Sequence, residues 1–570
     1  MWQIAIILFI YIPLVILMGR YLYRVTMQEK TWLDPLLDKV DHVIYKISGI
    51  TRANMTGKQY ILSLLLSNAF MIFIGYIMLR IQSFLFLNPN QIGGMEATLS
   101  FNTIISFMTN TNLQHYSGES GLSYLSQMLV IIFMMFTSAA TGYAACMAFC
   151  RRLVANTDTI GNFFVDFVRI ITRVLVPVSI IVAIILVSQG VPQTLSANKT
   201  VETIEGNLQD IALGPVAALE SIKHVGTNGG GFFGANSTTP FENPTIISNI
   251  VEILSMMLLP GACVVAFGLM VAYRNKQPRL EKNILFGKQG FTIFAAMGIL
   301  FLAGLTTVFI AEHQGNPAIS ELGITQEWGS MEGKEVRFGV AQSSLFTAVT
   351  TAFTTGSVNN MHDTLTPIGG LVAMFNMMLN VVFGGKGVGL MNMMIYVLLT
   401  IFISCLMIGR TPQFLGKKIE EKEMKLIALC ILLHPAIILG FSAIAVSMQS
   451  GLDGITNPGA HGLSQVLYEY ASSSANNGSG FEGLADNSTF WNITTGLAMF
   501  FGRYGTLILQ LAIASLLANK LQHSESTATL KTDNAMFVLM LVAIVLMVGA
   551  LTFLPALALG PITEHIQIHA

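Results

Sequence analysis

Ten long apolar segments recur along this chain, and they limit its fold more than any other feature of the sequence. A helix needs about 20 residues to cross the hydrocarbon layer of a bilayer, which is about 30 Å thick. Hydrophobic residues form 53% of the 570 residues and charged residues only 11%, too little polar surface for a water-soluble protein. The sequence therefore predicts an all-α polytopic membrane protein whose solvent is the lipid bilayer. The segments lie roughly at residues 2–19, 60–80, 122–149, 168–189, 246–273, 291–311, 368–409, 425–449, 491–519 and 535–559.

The basic residues predict how the chain is oriented, because Lys and Arg near membrane spans tend to remain in the cytoplasm. Twenty of them lie in one set of alternate connections, within residues 24–58, 151–152, 274–288, 410–425 and 520–531. The opposite connections hold four, which are Lys199, Lys223, Lys334 and Arg337. This bias places the first set inside and both termini outside, and it gives no reason to expect nucleic acid. The first segment lacks a basic start and a small-residue cleavage site, so we expect it to stay as a span.

Four of the outward connections share a second pattern, an apolar stretch too short to cross the membrane followed by a small polar cluster. The stretches are residues 101–110, 216–225, 345–353 and 463–471, and the clusters contain Thr111, Asn228, Thr355 and Asn477. These four residues are separated by 117, 127 and 122 positions, so the pattern has a period near 120. Such clusters are also ordinary turn chemistry, but four on one side of the membrane favour four pseudo-symmetric membrane-pore-membrane repeats around one pore.

The repeat pattern divides the chain into six parts. The predicted divisions are an N-terminal helix with its cytoplasmic loop at 1–59, pore repeats at 60–165, 166–289, 290–423 and 424–530, and a C-terminal helix at 531–570.

The four polar clusters are candidates for an ion filter. Non-helical backbone at membrane depth is tolerated only where it is buried in protein or lines a water-filled path. Rings of backbone carbonyls can replace the water of a dehydrated potassium ion, and the C-terminal ends of the short helices favour a cation. Aiming carbonyls inward needs unusual dihedrals, which explains Gly229, Gly356 and Gly478; Asn112 takes that place in the first cluster. The predicted potassium-binding residues are Asn110, Thr111, Asn112, Thr227, Asn228, Gly229, Thr354, Thr355, Gly356, Asn476, Asn477 and Gly478.

Acidic residues follow each cluster, at Glu119, Glu242, Asp363, and Glu482 or Asp486. In an outer vestibule they could concentrate cations, and capping of helices or solvation of an outer loop is an equal alternative for each. Four histidines lie near the clusters, at His115, His224, His362 and His461. Neither they nor the five cysteines have metal-ligand spacing, so the sequence predicts no metal beyond potassium and no organic cofactor.

Several motifs of this chain resemble a known family across essentially its whole length. They are residues 227–233 (TNGGGFF), 240–244 (PFENP), 112–119 (NLQHYSGE), 409–412 (GRTP) with 416–418 (GKK), and 457–459 (NPG) ahead of 475–479 (ANNGS). Together they resemble the potassium-binding, translocating subunit of bacterial Kdp-type potassium-transporting ATPases. The resemblance implies a multi-pass protein of the bacterial cell membrane with an extracellular filter, to which Gln114 is expected to add support. It also implies a complex with a separate P-type ATPase catalytic subunit and small accessory membrane subunits.

The chain itself contains no nucleotide-binding motif of the form G-x-x-x-x-G-K-[ST], and its cytoplasmic connections are too short for a catalytic domain. We therefore expect a non-catalytic subunit that depends on its partner for energy.

Two features below the predicted filter are candidates for controlling the pore. The seventh apolar segment is too long for one straight crossing and is interrupted by glycines around Lys386, so Gly384, Gly385, Lys386 and Gly387 form a candidate gate, as the resemblance also implies. Lys386 is either an electrostatic plug or a snorkelling or paired lysine. Arg503 is expected in the vestibule under the filter, with a purely structural role as the alternative.

Three functions remain open from the sequence. The favoured one is the ion-binding subunit of an ATP-driven potassium uptake complex. A potassium channel or channel-like subunit would share the four loops but not the motifs. A membrane enzyme subunit or proton-coupled carrier would need intramembrane carboxylates or cofactor ligands, and of the carboxylates only Glu252, near an outer end, stands out.

Overall fold

A computed structural model describes residues 2–154, 160–274, 284–521 and 529–570, and helices dominate it. Within these residues ten helices are long and apolar enough to cross a membrane, which confirms the predicted all-α polytopic architecture. The predicted basic residues Lys276, Arg279 and Lys282 lie outside the described residues. The ten spans are Trp2–Thr26, Gly57–Phe84, Tyr124–Val154, Phe163–Ser188, Ile246–Tyr273, Lys288–Glu321, Val388–Met407, Glu421–Ser447, Thr489–Ala518 and Ala535–His569.

Four shorter helices, which we name pore helices one to four, precede the four polar clusters. They are Ala97–Met108, Val216–Val225, Gly339–Ala352 and Gly459–Ala475. Three of them begin several residues earlier than the apolar stretches indicated, because polar residues such as Ser100 and Gln342, which precede the stretches, are buried in them. Hydropathy alone excludes such residues, so the apolar stretches are shorter than the helices at the amino end.

The remaining described elements are small. A helix, Asp34–Ser48, follows the first span, and shorter helices occupy Gly118–Gly121, Pro317–Glu321 and Gln449–Leu452. Lys199–Glu202 pairs antiparallel with Leu208–Ile211, and Gln413–Phe414 with Lys417–Lys418. Single wide π-type turns interrupt four spans at Gln127–Ile132, Ile171–Leu175, Phe501–Gly505 and Ala558–Ile562.

The long seventh apolar segment is broken in two, as its glycines predict. Its first part is the helix Pro367–Leu379, which ends at Asn380 in the left-handed conformation (φ 49°). The second part, Val388–Met407, is the seventh span. Between them the backbone again takes positive φ at Phe383, Gly384 and Gly387, so the chain crosses beneath the pore helices as a loop. We name residues 380–387 the crossing loop.

The spans surround the pore helices, which form the centre of the molecule. The fifth span, Ile246–Tyr273, is almost wholly buried, and the first span lies along it where Gly261 faces Tyr11 and Val15. Small residues allow two spans to approach this closely. The second span lies at the periphery and exposes Phe70 and Phe73, as a surface in contact with lipid requires.

Candidate functional site

All four pore helices end in the same way, and this shared ending forms the candidate site. In each, the N–H group of a residue two or three positions past the helix end donates to the carbonyl oxygen five residues earlier, and the residue just before the donor has positive φ. This is the Schellman arrangement, which satisfies carbonyls left free at a helix end. The four hydrogen bonds are Thr111 to Ser106 (2.9 Å), Asn228 to Lys223 (2.8 Å), Thr355 to Thr350 (2.9 Å) and Asn477 to Ser472 (2.9 Å).

The residues on both sides of each central residue have left-handed backbone. Before it stand Asn110 (φ 67°), Thr227 (43°), Thr354 (50°) and Asn476 (56°), and after it Asn112 (57°), Gly229 (100°), Gly356 (87°) and Gly478 (103°). Thr227 and Thr354 are notable because β-branched residues resist this conformation. Where left-handed and ordinary backbone alternate, successive carbonyl groups can point to one side of a loop, as a ring of carbonyl ligands requires. The sequence indicated the glycines but not the strained residues in front of them.

Three glycines pack against the backbone of the next loop. A Cβ atom on Gly229 would meet the carbonyl oxygen of Thr355, and one on Gly356 would meet that of Asn477. A Cβ atom on Gly478 would meet the carbonyl oxygen of Thr111. Loop two therefore adjoins loop three, loop three adjoins loop four, and loop four adjoins loop one.

The contact between loops one and two completes the ring. The Asn110 side-chain Nδ2 donates to the Thr227 carbonyl oxygen (2.7 Å), and Asn228 Nδ2 donates to Asn110 Oδ1 (2.8 Å). A Cβ atom on Gly230 would lie 3.0 Å from the carbonyl oxygen of Asn112. The twelve predicted filter residues thus come together in one closed ring at the carboxyl ends of all four pore helices, where the helix dipoles place partial negative charge.

Side chains on the side of the ring away from the crossing loop, which we name the mouth, hold loops one and two together. Gln114 Nε2 donates to the carbonyl oxygen of Gly231 (3.0 Å), and its Oε1 accepts from the N–H group of the same residue (2.7 Å). One amide side chain therefore pairs with both polar groups of one residue of the neighbouring loop. Asn236 joins loops two and three in a similar way, since its Nδ2 donates to the Gly356 carbonyl oxygen (3.1 Å).

The predicted acidic residues lie at the mouth, where three of them hold backbone. Glu242 is fully buried and accepts from the N–H groups of Phe233 (3.0 Å) and Ser237 (2.6 Å), so it does not face an open vestibule. Glu119 accepts from the N–H group of Gly234 (3.0 Å). Glu482 accepts from the N–H groups of residues 362 and 363 of the third repeat (3.0 and 3.2 Å), which joins loop four to loop three.

Asp363 takes part in a chain of charged groups. His461 Nε2 lies 3.1 Å from Asp363 Oδ1, and His461 Nδ1 lies 2.8 Å from Glu564 Oε1. Burial would lower the pKa of His461, but its hydrogen bonds to both carboxylates outweigh burial and raise the pKa to about 10. The imidazolium form therefore bridges the third repeat, pore helix four and the last span at neutral pH.

The crossing loop lies against the opposite side of the ring. Lys386 is buried, and its Nζ donates to Asn110 Oδ1 (2.8 Å) and to the carbonyl oxygen of Gly226, while its N–H group donates to Thr227 Oγ1 (3.1 Å). The lysine is therefore held by neutral oxygen atoms beneath loops one and two. Gly385 lies beneath Thr227 and Thr354, since a Cβ atom there would be 3.2 Å from Thr227 Oγ1 and 3.5 Å from the Thr354 carbonyl oxygen.

Arg503 lies on the same side, within the π-type turn of the ninth span. Its guanidinium is buried and one nitrogen is 3.5 Å from the Ser138 carbonyl oxygen of the third span. A Cβ atom on Gly142 would lie 2.6 Å from that guanidinium and 3.6 Å from the Lys386 carbonyl oxygen. The wide turn holds Arg503 close to the crossing loop. No pattern in the sequence indicated this turn.

The sequence also missed a cluster at the mouth. His115 Nε2 lies 3.3 Å from Glu469 Oε1 and 3.7 Å from Asp486 Oδ2, although Glu469 is 354 residues away along the chain. Burial would lower the pKa of His115, but the two carboxylates outweigh it and raise the pKa to about 9. His115 and Asp486 line a cavity of about 420 Å³, together with Gln114 and Glu482. Only the folded arrangement brings these residues together.

Comparisons with known proteins agree with this architecture. Residues 5–566 match the family described as "Potassium-transporting ATPase A subunit". The chain is 58% identical over 567 residues to the "Potassium-transporting ATPase potassium-binding subunit" of Clostridium acetobutylicum, covering 99% of each chain. It is 53% identical to the protein of that name from Staphylococcus haemolyticus, covering 100% of each chain. In fold it is similar to the potassium transporter TrkH of Vibrio parahaemolyticus (TM-score 0.53, 13% identity, 89% of this chain and 98% of the other).

Proposed function

The chain belongs to the family of potassium-transporting ATPase A subunits, and on that basis we propose that its four-loop ring is a potassium filter. In this proposal the ring binds potassium on the extracellular side and passes it inward, as the ion-binding subunit of an ATP-driven high-affinity uptake complex. The observation that carries the proposal is the fourfold recurrence of one backbone arrangement that closes into a ring. A dehydrated potassium ion needs oxygen ligands on all sides, and such a ring offers backbone carbonyls from four directions.

The ring selects charge by its surroundings. Four helix carboxyl ends converge on it, so partial negative charge favours a cation and disfavours an anion. We infer that carbonyls of the twelve ring residues are the ion ligands, and that Gln114, Asn236 and Glu482 fix the loops at the mouth. Rigid support of this kind keeps the carbonyl cage at one size. The same recurrence supports the division of residues 60–530 into four pore repeats.

Energy for uphill transport comes, in this proposal, from a partner. The chain offers no nucleotide-binding motif, so a P-type ATPase subunit would hydrolyse ATP, with small accessory membrane subunits beside it. The basic connections would face the cytoplasm of a bacterial cell, and both termini would lie outside.

The crossing loop is the proposed gate. Lys386 holds a positive charge directly beneath loops one and two, where it would meet an ion leaving the ring. Gly384, Gly385 and Gly387 allow the backbone around it to bend, and Arg503 adds a second cation near its carbonyl group. We infer that an ion cannot pass freely while the loop stays in this position, because two buried cations repel it.

The test is to purify the chain with its co-purifying subunits and to measure ATP hydrolysis while potassium or sodium is titrated. Wild type is compared with Gly229→Asp, which places a side chain against the Thr355 carbonyl oxygen. We expect hydrolysis to be stimulated by potassium alone and the apparent potassium affinity to collapse in the variant.

A matched control is Gly323→Asp. Gly323 also has positive φ (81°), but a Cβ atom there has no neighbour within 4 Å. This variant should keep wild-type affinity. If no ATPase accompanies the chain and potassium flux into vesicles simply follows the gradient, the pump proposal fails and a channel function replaces it.

A further inference from the structure

The cluster of His115, Glu469 and Asp486 has no role in the proposed filter. His115 follows loop one, Glu469 lies on pore helix four, and Asp486 follows loop four. The side chains of His115 and Glu469 are buried, whereas 26% of the Asp486 side chain is exposed. The cluster therefore lies at the contact between the first and last loops and is open only on the Asp486 side.

The spacing of the ligand atoms is close to that of a tetrahedral metal site. Zn²⁺ binds His nitrogen and carboxylate oxygen at about 2.0–2.2 Å, which places neighbouring tetrahedral ligands about 3.3–3.6 Å apart. His115 Nε2 lies 3.3 Å from Glu469 Oε1 and 3.7 Å from Asp486 Oδ2. The three ligand atoms all lie within 4.8 Å of one another. Small side-chain rotations would bring all three to one ion and leave the fourth position free.

The ring of His115 is already oriented for such a ligand. Its Nδ1 lies 2.7 Å from Asn492 Oδ1, an oxygen that can only accept, so Nδ1 carries a proton and Nε2 faces the carboxylates. Hydrogen bonding of the other ring nitrogen is the usual outer support of a metal-bound histidine. Zn²⁺ would replace the proton on Nε2 that now bonds to Glu469. The two carboxylates face a single positive charge, that of the imidazolium, whereas Zn²⁺ would supply two charges and neutralise both.

The second buried cluster makes a useful contrast. Glu220, His224 and Glu252 are equally close, but the Lys223 ammonium lies 2.6 Å from Glu220 and occupies the place of a cation. All these side chains are fully buried, so an ion has no way in. The cluster of His115, Glu469 and Asp486 contains no lysine, and an ion can reach it because Asp486 lines the open cavity beside the ring.

We propose that His115, Glu469 and Asp486 form a binding site for a divalent transition metal such as Zn²⁺, reached from the mouth of the ring. His115 is three residues from Asn112, so a bound ion would fasten loop one to pore helix four. It would also add positive charge to the cavity through which a monovalent cation approaches. Zn²⁺ is therefore an inhibitor of cation entry, acting beside the ring and not within it.

The test uses the full-length chain with its co-purifying subunits, freed of any histidine tag and of metal by a chelator. Zn²⁺ binding is measured by calorimetry, and Co²⁺ is used as a visible probe because its absorption reports tetrahedral coordination. We expect one saturable site per chain, with affinity reduced by more than about 10-fold in His115→Gln and in Glu469→Gln. Thermal unfolding without metal shows whether each variant is folded.

His461→Gln is the matched control, because its two carboxylates lie on opposite ring nitrogens and cannot share one ion. It should bind Zn²⁺ as wild type does. The proposal would be overturned if the three variants and wild type bound Zn²⁺ with equal affinity, or if folded wild type showed no saturable Zn²⁺ binding. Binding is measured without potassium or ATP, so this result is independent of the proposed transport function. Where the complex transports potassium, Zn²⁺ should weaken the stimulation of ATP hydrolysis by potassium in wild type and not in His115→Gln.

Discussion

Loops one and three occupy non-adjacent positions of the ring and both reach positive φ after their central threonine, with different residues. Loop three has Gly356 after its central threonine, and the Asn477 carbonyl oxygen fills the space where a Cβ atom would be. Loop one has Asn112 at that place, with positive φ (57°). It faces loop two, where Gly230 has no side chain and leaves room near the Asn112 carbonyl oxygen. The ring therefore has a side chain at one corner only, where Gly230 of the neighbouring loop lies against the Asn112 backbone carbonyl.

The largest expected effect is that of Gly356→Ala, because the new Cβ atom meets the Asn477 carbonyl oxygen and the residue keeps φ at 87°. Backbone strain of this kind costs about 1–3 kcal/mol and the contact with the carbonyl oxygen adds to it, so the apparent potassium affinity should fall by up to about 100-fold. Potassium-stimulated ATP hydrolysis of the complex measures it. Gly323→Ala, with similar φ and no neighbours, is the control; equal affinities in both variants would remove the contrast between the loops.

Gln114→Leu tests the support of loop one and should have an intermediate effect. The change leaves both polar groups of Gly231 without their side-chain partner, at a cost of about 1–3 kcal/mol. The apparent potassium affinity should fall by about 10-fold in the same assay. Gln209→Leu, on the exposed strand Leu208–Ile211, is the matched control. Unchanged affinity in Gln114→Leu would mean that loop one needs no support at the mouth.

The chain beyond loop three is held by the ion pairs of His461, so its contribution to stability should depend on pH. The pKa of His461 is raised to about 10 by Asp363 and Glu564 against the effect of burial. A raised pKa gives stability that is complete below about pH 6.5 and is lost as pH rises through about 10. Thermal unfolding of wild type should therefore weaken more than that of His461→Gln over this alkaline range. Parallel curves for the two proteins would show that the ion pairs do not stabilise the fold.

The smallest expected effect is that of Asn112→Gly, which makes loop one resemble loop three. Glycine accepts positive φ without strain, and within the described residues neither polar atom of the Asn112 side chain has a hydrogen-bond partner. The apparent potassium affinity should change by less than about threefold, which corresponds to under 1 kcal/mol. A tenfold loss would instead show that the Asn112 side chain itself contributes to ion binding.

Features that depend on local sequence could be predicted. Hydropathy located the ten spans, and the glycines around Lys386 located the break in the seventh apolar segment. Gly229, Gly356 and Gly478 indicated the loops because glycine is the residue type that most readily adopts positive φ. Such features need no knowledge of what lies next to them in space.

Features that depend on distant partners could not be predicted. Thr227 and Thr354 have positive φ although their residue type disfavours it, and their hydrogen-bond partners lie in loop one and in the crossing loop, far away along the chain. The sequence leaves a vestibule role and a capping role equally open for Glu242, and only the folded structure shows that it is buried against the N–H groups of Phe233 and Ser237. The partners of His115 lie more than 300 residues away, so no spacing rule finds them.

Closure of the ring between its first and last loops also has a consequence for how the protein is made. Gly478 packs on the Thr111 carbonyl oxygen, and Asn102 of pore helix one donates to Thr495 of the ninth span (2.7 Å). A ribosome makes loop one long before loop four. Loop one is therefore inserted into the membrane before the loop that it contacts in the closed ring has been made. The ring therefore closes only after loop four has been made, when most of the polypeptide has already been inserted.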